Sequence, residues 1–305
     1  MTLAPPAPAP ARTRAPAARP RRRGRAAPYL FVLPALLLFA AFKLYPIGWS
    51  FAMSLHRTVA GVDTYVGADN YTRMLDDPLM WTALRNTGVI LAVQVPLMLA
   101  LATALAVALN STLLHGRSLF RLGFFLPMVT GLVAYGIVFS VLLNKDYGLV
   151  NWLLGQLGIG PVPWLTDGLW ARISLGLALT WHYTGYNAVL LLARLQTIPH
   201  ELYDAAAVDG AGAFAAFRHV TLPGLRPALL LTTVLSTIGT LQLFDEPYVL
   251  TGGGPDNATL TIGVYLYRNA FTYFDFGYAS ALAYALTVLI GLLGLLQFRL
   301  LGEKP

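Results

Sequence analysis

The chain contains no cysteine, which excludes disulfides, thiolate metal sites and cysteine nucleophiles together. Lysine is scarce: there are three, at 43, 145 and 304, following Phe42, Asn144 and Glu303. A phosphate-binding loop needs Gly-Lys before Ser or Thr, so the chain is not expected to hydrolyse ATP. The five histidines, at 56, 115, 182, 200 and 219, show neither HExxH spacing nor a carboxylate at metal-ligand spacing. No GxSxG elbow occurs. Charge of either sign is sparse, at 11% of 305 residues, where a soluble domain has about a quarter. With 56% hydrophobic residues and a mean hydropathy of +0.61, the composition is that of an integral membrane protein. We expect it to catalyse nothing and to bind no cofactor or metal itself.

A bilayer core requires about 20 predominantly apolar residues per helix. Six stretches qualify, at about 29–54, 83–109, 119–143, 172–194, 227–250 and 278–300, and they predict an all-α polytopic membrane protein. Lys43 and Pro46 interrupt the first, which predicts a kink or an interfacial outer half. The fourth carries Trp181, His182, Tyr183, Tyr186 and Asn187, more polar than a lipid-facing helix surface tolerates. Residues 1–27 are almost entirely Ala, Pro and Arg and cannot bury enough surface to offset ordering entropy, so a disordered tail is expected. The remainder, 28–305, reads as one transmembrane domain. A basic tail before an apolar run also fits a signal peptide, but several further spans favour an uncleaved anchor.

Arginine and lysine placement orients the spans. With both termini in the cytoplasm, the inside receives fourteen basic residues and the outside seven, while acids run four inside to ten outside. The net charge of +7 therefore reports topology and contact with anionic lipid, and nucleic acid is not expected. Outer segments at about 55–82, 144–171 and 251–277 are too short for a separate domain.

The most informative stretch is the inner loop 195–226, with IPHELYDAAAVDGAGAFAAFRHVTLP at its centre. Pro199 suits a helix start, and Glu201 and Asp204 near that start favour the helix dipole. Leu202, Ala205, Ala206 and Asp209 recur at spacings of three and four, and Gly210 can take the left-handed conformation that ends the helix. A second short helix, with Phe214 and Phe217 on one side, is expected to stop at Leu222-Pro223. Small side chains permit close approach of another backbone, and phenylalanines supply anchors. On composition alone the loop equally suits a hairpin packed only on its own bundle.

Asp204-Ala205-Ala206, three residues, Gly210, nine residues, Val220, one residue, Leu222-Pro223 resembles the signature loop of permease subunits of binding-protein-dependent ABC importers. The TLPGLRP exit, LTGGGPDNATLT and FDFGYASAL are similar to the compact members of its carbohydrate-uptake branch, the maltose, lactose and glycerol-3-phosphate type. Asp204 stands where the signature has glutamate, one methylene longer, and Val220 where it has isoleucine. The resemblance implies a type I importer fold of six transmembrane helices, with a cytoplasmic coupling hairpin between helices 4 and 5. It implies a second permease subunit, two ATPase subunits carrying ATP and Mg, an extracytoplasmic solute-binding protein, and a sugar-type substrate at a bacterial-type cell membrane. Carried onto this chain, the coupling residues are Glu201, Asp204, Ala205, Ala206, Asp209, Gly210, Ala211, Phe217, Leu222 and Pro223.

For the translocation path we take Trp181, Tyr183, Tyr186, Asn187, Gln242 and Asp245, because aromatic faces pack on the CH-rich faces of sugars while amides and carboxylates satisfy hydroxyls. An interfacial belt for Trp181 and Tyr183, or contact with the sister subunit, suits these positions equally. Asp245 and Glu246 fall near the outer end of the fifth predicted span, where contact with the binding protein competes with substrate contact. A stand-alone secondary transporter is the alternative, and it would place paired ionisable groups at mid-membrane, where these spans carry almost none.

Overall fold

The computed structural model describes residues 27–59, 62–111 and 116–301. The basic tail lies outside them, as do Glu303 and Lys304. The chain divides into two units, Met1–Trp49 and Ser50–Pro305.

In the first unit, α1 (Ala27–Phe39) runs into a π-helical turn at Ala40–Leu44, and its side chains are exposed almost throughout. The irregularity expected at Pro46 falls one turn earlier. A proline ring crowds the carbonyl four residues before it, and a wider turn at that point relieves the clash. α2 (Tyr45–Ser54) follows, and Tyr29–Ser54 is long and apolar enough to cross a membrane.

The second unit opens with an antiparallel ribbon, β1 (His56–Val59) and β2 (Val62–Tyr65), with His56 opposite Tyr65. It departs from the all-helical expectation, and the reason lies next to it. Buried Asn70 of α3 (Asp69–Leu75) donates to the carbonyls of Ser54 and His56, each at 2.8 Å, holding the chain extended after α2. α4 (Pro78–Asn110) is capped by Asp77, which accepts from the amides of Leu79 and Met80.

The third predicted span is two helices, α5 (Arg117–Val129) and α6 (Leu132–Leu142), bent by 98°. Pro127 in the last turn of α5 and the extended residues Thr130 and Gly131 break the ladder there. α7 (Leu149–Gln156) lies in the next segment, and α8 (Gly168–Leu195) forms the fourth span. At 28 residues α8 is long enough to cross, but it is absent from the helices apolar enough to cross on composition. Its polar residues Ser174, His182 and Asn187 are buried against protein, so the helix need not be apolar all round.

α9 (His200–Val208) and α10 (Ala213–Ala216) form the inner hairpin. Here Leu222-Pro223 does not stop the helix: α10 continues through a π turn at Phe217–Thr221 into α11 (Leu222–Leu241). Pro223 sits in the first turn of α11, where a missing N–H is tolerated, and the widened turn before it accommodates the ring. The fifth predicted span also ends early. Helix stops at Leu241, and the stretch to 250 is a separate short helix, α12 (Asp245–Thr251). α13 (Ile262–Tyr267), a π turn at Arg268–Thr272 and α14 (Phe276–Leu301) complete the chain.

α4 and α8 run parallel as the spine of this unit. Ile90 packs with Leu175, Ala178 and Leu179 near one end, and Ala102, Ala106 and Leu109 pack with Ala188, Leu191 and Leu192 near the other. α11 lies against both, and Gln297 of α14 donates to Thr237 of α11 at 2.6 Å. Thr87, Thr103 and Thr232 turn their hydroxyls back to carbonyls four residues earlier, at 2.8, 2.7 and 2.9 Å, which satisfies them without water.

Candidate functional site

The hairpin closes the end of the bundle reached by the last turns of α4 and α8. Pro199 precedes the first turn of α9, with Glu201 inside it. At the far end Gly210 has φ +78°. Around it the amide of Ala211 donates to Ala206 (2.9 Å) and that of Gly210 to Ala207 (3.0 Å). This paired arrangement satisfies the last carbonyls of α9 and needs a residue free of left-handed strain at its pivot. Gly212 is extended and opens α10.

One side of the hairpin is fastened to the bundle. Leu195, Ile198 and Leu225 form a buried cluster, with Tyr203 and Val220 packed on it. Tyr203 and Thr221 share a hydrogen bond of 3.0 Å across the two arms, and Arg194 donates to the carbonyl of Gly224 at 3.0 Å. The other side is bare. Val208 is 89% exposed, Phe214 78% and Leu202 about half.

Of the predicted coupling residues, Glu201, Asp204, Ala205, Asp209, Gly210 and Pro223 are exposed, while Ala206, Ala211, Phe217 and Leu222 are half-buried. Neither Glu201 nor Asp204 joins an ion pair among the described residues. The exposed anchor is Phe214, whereas Phe217 is partly covered.

A cavity of about 160 Å³ lies between α4, α8 and α11. Tyr183, Tyr186 and Asn187, all expected from sequence, line it. Asn187 donates to the carbonyl of Tyr183 at 3.0 Å, and the Tyr183 hydroxyl donates to Glu246 at 3.1 Å. Trp181 lies elsewhere, packed on Phe139 and Tyr135 with ring centroids 5.3 and 6.1 Å away. Gln242 caps α11 and Asp245 begins α12, and neither lines the cavity.

Sequence reasoning missed Gln94, Ser236 and Thr240, which do line it. Gln94 carries a visible signal as the one carboxamide in the apolar run 88–109. Ser236 and Thr240 carry none, because hydroxyl residues recur along this helix. Glu246 is also placed differently from expectation. It is 2% exposed and bonded inside the bundle, so it is not presented at a surface. Among the described residues no group of His, Asp and Glu could hold a metal ion.

The model of the family of binding-protein-dependent transport system inner membrane components matches residues 24–302. The chain belongs to this family. Its members are transport permeases, not enzymes, and this permease is an integral membrane protein. It is similar to the lactose transport system permease protein LacF of Rhizobium radiobacter, at 42% identity over 90% of this chain and 94% of the relative. It is also similar to the arabinooligosaccharides transport system permease protein AraP of Bacillus subtilis (strain 168), at 36% identity over 92% and 90%. Among solved structures it resembles a chain of a bacterial ABC transporter involved in the import of the acidic polysaccharide alginate. The TM-score is 0.79, with 22% identity over 89% of this chain and 93% of that one, a likeness of fold. The permease is thus of the importer fold that its hairpin signature implied.

Proposed function

We propose that this permease forms half of the translocation pathway of an ATP-driven importer of sugar-type solutes, with 199–223 as the element that couples it to a soluble ATPase. One observation carries the reading. The first arm joins α8 through the short turn at 196–199 and the second continues through a π turn into α11, and these are the helices that bring Tyr183, Tyr186 and Asn187 and then Ser236 and Thr240 to the cavity. A displacement of the hairpin is therefore transmitted along two rigid helices to the cavity walls, as alternating access requires.

In this reading a sister permease, as a heterodimer, supplies the other half of the pathway beside the cavity of about 160 Å³. Two ATPase subunits, carrying ATP and Mg, take the bare side of the hairpin, and an extracytoplasmic binding protein delivers solute to the opposite end. In this reading the protein lies in a bacterial-type cell membrane with both termini cytoplasmic. The sugar class follows the relatives named above, and the aromatic and amide lining suits a polyol with CH-rich faces.

The test uses the natural absence of cysteine. Single cysteines replace Ala205 and Ala211, and crosslinking is attempted to a co-expressed sugar-importer ATPase of the same cell. We expect a crosslinked permease–ATPase species from one or both positions; none there or one turn away sinks the docking role.

A further inference from the structure

Glu246 is a carboxyl group 2% exposed, in the first turn of a helix of seven residues. Burying such a group is unfavourable unless it is well bonded, and an apolar residue of similar size would be easier to accommodate. Stability alone therefore does not explain it. Two tyrosines face it: the hydroxyl of Tyr183 donates to Glu246 Oε1 at 3.1 Å, and buried Tyr135 also interacts with the carboxyl. Tyr183 lines the cavity and Glu246 does not. Behind them the ring of His182 stands edge-on to Tyr183 at 4.6 Å and stacks on Tyr135 at 4.5 Å, so the Tyr183 phenol has a wall on one side and an anchor at its tip.

We infer that Glu246 is a positioning residue for solute selection: it holds the Tyr183 hydroxyl out of the cavity, so that the lining presents an aromatic face at this point. Polar recognition is then left to Gln94, Asn187, Ser236 and Thr240. An anchored ring keeps its packing surface in one place for the CH face of a sugar, and a released one turns a phenolic hydroxyl into the lining. The solute half of this inference rests on the sugar-importer reading; the anchoring half does not.

The anchoring half is tested on the purified full-length chain with 3-fluorotyrosine incorporated at position 183. We expect one sharp ¹⁹F resonance in the natural chain and in Glu246→Gln, which keeps an acceptor oxygen, and a shifted or split resonance in Glu246→Leu. The same resonance in all three overturns the proposal. The solute half is tested in cells carrying the complete transporter, by uptake of radiolabelled lactose and maltose at saturation. Glu246→Leu and Tyr183→Phe should each change the lactose-to-maltose rate ratio about fivefold, the scale of one neutral hydrogen bond. The double variant should change it no further, and Glu246→Gln should restore the natural ratio. Rates that fall together at a constant ratio overturn the selection role. Uptake of neither sugar by the natural transporter counts against the sugar reading, and the resonance still decides the anchoring.

Discussion

Gly185 of α8 stands so close to Phe124 of α5 that a methyl group at its α carbon would lie 1.6 Å from the Phe124 carbonyl oxygen. The obstacle is main chain, which cannot swing aside as a side-chain tip can. α5 is the first half of the broken span, and this crossing fixes it against the helix that carries the cavity aromatics.

Gly185→Ala should therefore force the two helices apart. Overpacking typically costs about 1–3 kcal/mol, and a backbone obstacle belongs at the upper end. Gly176, on the same helix, has open space around it, so Gly176→Ala should be neutral or stabilising by up to about 1 kcal/mol. Thermal melting of the detergent-solubilised permease compares the two; equal melting temperatures would contradict the tight crossing.

Asp77 gathers the ends of three elements. It accepts from Tyr265, from Tyr278 at 2.6 Å, and from the amides of Leu79 and Met80. Burial alone would raise its pKa, but hydrogen bonds from the two tyrosines and the two amides outweigh that and hold the carboxyl below its ordinary range. A depressed pKa means the folded state binds fewer protons, so the contribution is complete above the ordinary value of 3.8 and is lost as pH falls through the folded value. Stability should drop on acidification below about pH 4, and Asp77→Asn should remove that dependence while lowering stability near neutrality by about 1 kcal/mol, discounted for partial exposure. A pH series of melting curves for both proteins checks it. Tyr265 mirrors the bond from the other side: burial, then the bond to Asp77, push it up to about 12. Its contribution is present below the ordinary 10.0 and is lost as pH rises through the folded value.

At the hairpin pivot, Gly210→Val places a β-branched side chain at φ +78°, a strain of about 1–2 kcal/mol or more. The site is open, so insertion and folding should survive while ATP-dependent uptake falls at least about tenfold. Gly210→Asn tolerates the left-handed region and should keep most of the activity. Normal uptake by the valine variant at normal membrane levels would remove Gly210 from the coupling role.

Phe214 and Val208 touch little of their own chain. Phe214→Ala should change the melting temperature hardly at all, within about 0.5 kcal/mol. Loss of an aromatic anchor should weaken attachment of the ATPase subunits about tenfold or more, read as their yield on co-purification with the tagged permease. A large loss of melting temperature with unchanged yield would assign Phe214 to packing instead.

Much of the hairpin was legible because its information is local. A proline start, small residues at helical spacing and a glycine at the pivot act within a few residues, and Gly210 adopts the conformation its position demands. Local signals misled at Pro223, where a proline that ends most helices lies one turn into α11, after a π turn. They misled again at 242–250, where apolar continuity predicted a single span and the chain breaks at Gln242–Phe244 before α12. The bend at Thr130-Gly131 was missed for the same reason: hydropathy averages over a window and does not register a change of direction.

The amino-acid sequence by itself determined that this is a membrane permease, because composition and fixed motif spacings are properties of the linear chain. Only the tertiary structure decided which polar residues share a cavity. Gln94, Tyr183 and Thr240 belong to three helices far apart in sequence, and Trp181, two positions from Tyr183, faces another way because two residues along a helix are about 200° around it. The same holds for Glu246 and Tyr183, joined by a hydrogen bond across 63 residues, since the break after Leu241 turns the short helix back onto α8.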